Sequence, residues 1–140
     1  MKILGVIPAR FASSRFPGKP LKVIAGKPLL QWVVEGARES KKINEVWLAT
    51  DDERIADLGN QLKVKTVMTD PSLPSGSDRI WAAVQSATFD VVVNIQGDEP
   101  LITGALLDEL VMPFFKRSVF GNGHSGPTSA RWRPRKSQYG

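Results

Sequence analysis

The 140-residue chain contains no cysteine, which excludes a disulfide framework and any thiolate metal site. Its single histidine, His124, sits in an irregular Gly/Ser stretch near the C-terminus, where neither a metal nor a catalytic role is expected. No apolar run is long enough to span a bilayer. No signal-peptide pattern heads the chain either, because Arg10, Arg15 and Lys19 follow directly on one short apolar run. A soluble, cytoplasmic protein is the expectation. Acidic residues are also missing from the last part of the chain. All 14 Asp and Glu precede residue 111, whereas six of the 19 Lys and Arg follow it: Lys116, Arg117, Arg131, Arg133, Arg135 and Lys136. The formal net charge of +5 therefore belongs to the tail, the body is close to neutral, and a nucleic-acid-binding domain is not expected.

What is present is a chain of 41% hydrophobic residues, enough for one domain with a real core. "ILGVIP" (3–8) predicts a buried strand stopped by Pro8. From Pro28 to Ser40 the period becomes helical, with Leu29, Leu30, Val33, Val34 and Ala37 on one face and Pro28 suited to the first turn. "EVWLAT" (45–50) predicts a strand. A helix capped by Asp51 or Asp52 then runs to Leu62. "VKTVM" (64–68) is a third strand, 70–77 a polar loop, and 78–87 a helix. "DVVVNIQ" (90–96) is the most continuous apolar strand and suits a central parallel position covered on both faces. A final helix spans about 103–111. The alternation predicts an α/β fold, a Rossmann-like, doubly wound, mainly parallel sheet, with ligands bound beyond the carboxyl ends of the strands.

Three motifs lie at those ends. "IPARFASSRFPGKPL" (7–21) carries Arg10, Arg15 and Lys19 on a loop stiffened by Pro17, Gly18 and Pro20, with hydroxyls from Ser13 and Ser14. Cations and backbone amides so gathered suit the distributed charge of a triphosphate, although a solvated basic loop has the same composition. "SGSDR" (75–79) makes a tight turn before a helix that can hold polar or anionic groups; Ser77 or Asp78 acting only as a cap is the plainer alternative. "NIQGDEP" (94–100) sets Asp98 just past a buried strand, an arrangement that suits Mg2+ with its one or two carboxylates and phosphate oxygens, or else is a surface turn. There is no Walker A sequence. "GNGHSG" (121–126) matches a dinucleotide fingerprint only formally, because Pro127 follows and no helix opens. "RWRPRK" (131–136) reads as a solvated basic terminus.

Taken in order with "LATDD", these motifs resemble the sugar-acid cytidylyltransferases, a nucleotide-diphospho-sugar transferase type of fold, and most closely their 3-deoxy-manno-octulosonate (Kdo) branch; the CMP-sialate branch matches less well. The resemblance spans residues 2 to about 113. It implies the reaction CTP plus Kdo to CMP-Kdo plus pyrophosphate, with Mg2+, in lipopolysaccharide biosynthesis, by homodimeric enzymes that touch neither nucleic acid nor membrane. It implies that Arg10, Ser13, Arg15 and Lys19 hold the triphosphate. Ala9, Ser75, Gly76, Ser77 and Arg79 would line the cytidine with Gln96 nearby, and Asp98 would bind Mg2+. Arg10, Lys19 and Asp98 would carry the chemistry.

The resemblance ends near Phe114, dividing the chain into a CTP-binding α/β half (1–114) and a basic, disordered tail (115–140). Family members continue further, so the fold is expected to be incomplete at its C-terminus, with the sugar-binding half missing, an exposed sheet edge and little or no turnover. The remaining alternative is a non-catalytic nucleotide-binding fragment. The acid-free, Arg- and Gly-rich tail reads as a frameshifted or truncated gene product, which the downstream coding DNA checks.

Overall fold

A computed structural model describes residues 1–12, 17–97, 99 and 101–120, with 115–120 described as backbone only. Strand β1 (Ile3–Ala9) is the hub. A single 3-10 turn (Lys19–Leu21) and a two-stranded hairpin, β2 (Val23–Ile24) and β3 (Lys27–Pro28), lead from it into helix α1 (Leu29–Arg38). Then follow β4 (Glu45–Thr50), α2 (Glu53–Gln61), β5 (Lys65–Met68), α3 (Gly76–Ala83), β6 (Val91–Asn94) and α4 (Gly104–Phe120).

The main sheet has the order β5-β4-β1-β6, and every pairing in it is parallel. Both of its faces are covered, as the doubly wound expectation required. Alternation along β1 sends Ile3, Ile7 and Ala9 into one core with Leu30, Val33 and Val34 of α1, Ile55 and Leu58 of α2, and Leu107 and Val111 of α4. Leu4 and Val6 point the other way, into a second core with Trp47, Ala49 and the α3 residues Ile80 and Ala83. Trp47 meets Phe89 edge-on there, at 5.8 Å between ring centroids.

Several glycines mark places where backbones touch. A Cβ on Gly36 would come within 2.1 Å of the Ile102 carbonyl oxygen, and one on Gly104 within 2.2 Å of the Glu39 carbonyl carbon, so α1 and the start of α4 pack backbone to backbone. Asp108 of α4 secures the same junction. Its carboxylate accepts from Ser40 Oγ (2.5 Å) and from the amides of Lys41 and Lys42.

Four details differ from the sequence reading. β6 lies at the sheet edge among the described residues, not at its centre; β1 takes the central place. Val91 and Val93 are nonetheless buried, because helices cover that face, so burial rather than position in the sheet produced the apolar run. Pro28 ends β3 and precedes the first helical residue, with ψ of 144°. α3 begins at Gly76, capped by Ser75, whose Oγ accepts from the Asp78 amide at 3.1 Å. Finally, α4 passes through Pro113 to Phe120; proline removes one helical donor, but Val111 and Phe114 pack against the first core and hold the helix in place.

Candidate functional site

Parallel pairing brings the strand ends level. Ala9 pairs with Thr50 and Thr50 with Met68, so the residues that leave the sheet next (Arg10, Asp51 and Thr69) line one carboxyl edge. The turn before α3 reaches the same edge: a Cβ on Gly76 would lie 3.4 Å from the Pro8 ring. The segment after β6 arrives there too. Ile95 donates its amide to the Val6 carbonyl, and a Cβ on Gly97 would stand 2.9 Å from the Pro8 carbonyl oxygen. Glycine at 97 therefore permits an approach that any side chain would block.

Arg79 is the centre of this edge. Its side chain is fully buried although it carries a charge. Nη1 donates to Thr69 Oγ1 and, at 3.4 Å, to the Asp70 carbonyl; Nη2 lies 3.5 Å from the Asp51 carboxylate. Burial pushes the Arg79 guanidinium below its ordinary pKa, the charge of Arg10 adds to that effect, and Asp51 and Asp70 oppose it. Among the described residues Nε and Nη2 have no hydrogen-bond partner, and neither has Oδ1 of the neighbouring buried Asp78, whose other oxygen accepts from Ser75 Oγ at 2.7 Å. Buried polar atoms are costly when unpaired, so three of them on adjacent residues make this edge the candidate site.

The loop after β1 is closed at its base. The Gly18 amide donates to the Phe11 carbonyl at 2.7 Å, and Gly18 has φ of +74°, a conformation that glycine adopts without steric cost. Lys19 then opens the 3-10 turn, half-buried, while Arg10 is exposed at the other side of the loop.

Of the residues read from sequence, Ala9, Arg10, Ser75, Gly76, Arg79 and Gln96 stand along this edge, with Ser77 exposed in the first turn of α3. Ser13, Arg15 and Asp98 lie outside the described residues, as do His124 and the rest of the segment 121–140. Sequence reasoning missed Asp51, Thr69, Asp70 and Asp78 as partners within the site. It left the cap of α2 open between two acids; Asp52 takes that role, accepting from the Arg54 amide at 2.8 Å, and frees Asp51 for Arg79. The second acid of "TDD" was the available signal.

A doubly wound parallel sheet of this order places the chain in the Rossmann-like class of folds, in which ligands bind beyond the carboxyl ends of the strands. Comparison with known proteins narrows the class. A family model described as "Cytidylyltransferase" matches residues 4–121, and the chain belongs to that family. It is 60% identical over 114 residues to a 3-deoxy-manno-octulosonate cytidylyltransferase of Bdellovibrio bacteriovorus, covering 81% of this chain and 46% of the relative. It is 54% identical over 118 residues to the protein of the same name from Nitratidesulfovibrio vulgaris, covering 82% and 47%. Among solved structures, it resembles a CMP:2-keto-3-deoxy-manno-octonic acid synthetase complexed with CTP, at a TM-score of 0.81 and 39% identity, over 84% of this chain and 49% of the other. The chain thus spans about half the length of the relatives it matches. No helix among the described residues is long and apolar enough to cross a membrane.

Proposed function

We propose that this chain binds CTP and supplies the nucleotide-binding part of a Kdo cytidylyltransferase, the activity CTP plus Kdo to CMP-Kdo plus pyrophosphate that serves lipopolysaccharide biosynthesis. The observation that carries the reading is the unpaired edge of the buried Arg79. Nε and Nη2 together form one fork of the guanidinium plane. Such a fork matches two adjacent acceptors, and the O2 and N3 atoms of cytosine are such a pair; uracil carries a proton on N3 and offers only one. Ala9, the 75–77 turn and Gln96 then line the cytidine. Arg10 and Lys19, with Ser13 and Arg15, receive the triphosphate.

In the reaction, the anomeric hydroxyl of the sugar attacks the α-phosphorus in line and pyrophosphate leaves. Little covalent work falls to the protein, so positioning and charge neutralisation dominate. Arg10 and Lys19 hold the leaving phosphates and offset the charge that grows on them.

Among the described residues no group of three or more His, Asp or Glu could hold a metal alone. Mg2+ needs only one or two protein carboxylates and takes its other ligands from phosphate and water. Asp98 follows Gly97, whose backbone lies against the end of β1, and is the residue assigned to it. Bound there, Mg2+ would neutralise triphosphate charge. The homodimer expected from the resemblance, and the division of the chain at residue 114, belong to the same proposal.

Calorimetric titration with Mg2+ tests the reading. CTP should bind about ten- to a hundredfold more tightly than UTP, the loss expected when a buried donor faces another donor. Equal affinities would end the cytidine assignment. Adding Kdo should release no pyrophosphate above background from this chain alone, since no described residue is assigned to the sugar acid; steady release would show that it works unaided.

A further inference from the structure

We propose that residues 51–54, the link after β4 and the first turn of α2, position both halves of the nucleotide site: Asp51 acts through Arg79 on the base side, and Arg54 acts through Phe11 on the phosphate side. The inference rests on the nucleotide-binding reading above and assigns work to a turn that otherwise only caps a helix.

The base-side arm starts from a fully buried cation. Asp51 is the one carboxylate whose oxygen the structure places within 4 Å of the Arg79 guanidinium among the described ion pairs, at 3.5 Å from Nη2. Thr69 and the Asp70 carbonyl hold Nη1. These contacts hold the guanidinium in place, while Nε and Nη2 make no hydrogen bond among the described residues. Burial and Arg10 both push the Arg79 pKa down, and of the two carboxylates that oppose them Asp51 has the larger effect.

The phosphate-side arm is a stack. Asp52 holds the Arg54 guanidinium by two bonds, Nε to Oδ1 at 3.1 Å and Nη2 to Oδ2 at 2.8 Å. The guanidinium carbon lies 3.5 Å from the Phe11 ring centroid. Phe11 packs against the first core, and its carbonyl accepts the Gly18 amide that closes the loop. Gly18 also lies against the edge of the ring, where a Cβ would meet Phe11 Cε2 at 2.9 Å. Arg10 and Lys19 flank this closed base directly in sequence. An ion pair at the start of α2 thus sets the ring that sets the loop carrying the phosphate-binding cations.

The two arms predict different losses. Asp51→Asn should weaken CTP and CMP equally, by about tenfold, because both nucleotides share the base. Arg54→Ala should weaken CTP about five- to tenfold and CMP less than about twofold, because the triphosphate feels the loop. Arg54→Lys keeps a cation over the ring without the fork and should fall between. Calorimetry with CTP and CMP reads all of these, and amide exchange at Gly18 in the unliganded chain provides a readout without nucleotide. Exchange should quicken in Arg54→Ala and stay unchanged in Asp51→Asn.

Unchanged affinities in Asp51→Asn, or an Arg54→Ala chain that loses CMP as much as CTP, overturn the corresponding arm. Should Asp51→Asn fail to fold, Asp51→Glu replaces it. That variant keeps the charge and should retain CMP and CTP to the same extent, and a selective loss of CTP counts against the arm. If the parent chain binds neither nucleotide, the functional reading fails and the Asp51 arm with it, whereas Gly18 exchange still decides the Arg54 arm.

Discussion

Single residues here differ less in what they are than in what stands opposite them. A Cβ would be too close at both Gly5 and Gly36, yet the neighbours differ. At Gly5 the obstacle is the terminal methyl of Ile95, at 2.6 Å, which can rotate away; at Gly36 it is the Ile102 backbone oxygen, at 2.1 Å, which cannot. Gly36→Ala should therefore cost about 1–3 kcal/mol, the usual penalty for overpacking, and Gly5→Ala clearly less. Urea melts of the two variants check the order, and equal losses would contradict it. Arg79 makes the same point about chemistry. "SGSDR" could be read as a site motif, but its arginine could equally have been a helix-surface charge. Burial and the choice of Asp51 over Asp78 as its partner arise between segments far apart in sequence.

At the scale of elements, the junction between α1 and α4 hangs on Asp108. The hydrogen bond from Ser40, with support from the Lys41 and Lys42 amides, holds its carboxyl below the ordinary carboxylate range in spite of desolvation. A carboxyl depressed on folding contributes stability that is full above its unfolded pKa, about 4, and is lost as pH falls through the folded value. Asp108→Ala should thus lower Tm at pH 7, and the difference from the parent should shrink below about pH 4. Melts followed by circular dichroism across that range check it; a gap independent of pH would show that the hydrogen bonds do not depend on the charge. Element types were legible where the period was long. The five apolar positions of α1 and the Val-rich β6 announced themselves. The β2–β3 hairpin did not, because each strand is two residues long and its turn puts Ala25, a residue without turn preference, at φ of +51°. The helix expected to end near residue 111 continues through Pro113 to Phe120, with Val111 and Phe114 packed against the first core.

Over the whole molecule, the distribution of apolar surface sets behaviour in solution. Leu101, Leu106 and Leu110 are 80%, 50% and 58% exposed, on and just before α4, and β6 is paired on one side only among the described residues. An open strand edge and exposed leucines each favour self-association. Sedimentation of the parent should depend on concentration, and Leu106→Lys with Leu110→Lys should shift it toward a monomer. A parent that stays monomeric throughout would refute the expectation.

The sequence by itself determined the alternation of strand and helix, the polar turns that follow the strands and the motifs by which the family is recognised, because periodicity, capping and turn chemistry act over a few residues. Only the tertiary structure decided that β1 is central and β6 lateral, that Ala9, Thr50 and Met68 end level, and which of two adjacent aspartates faces a buried arginine. Those outcomes depend on strand register and on desolvation by distant segments, and neither quantity exists until the chain has folded.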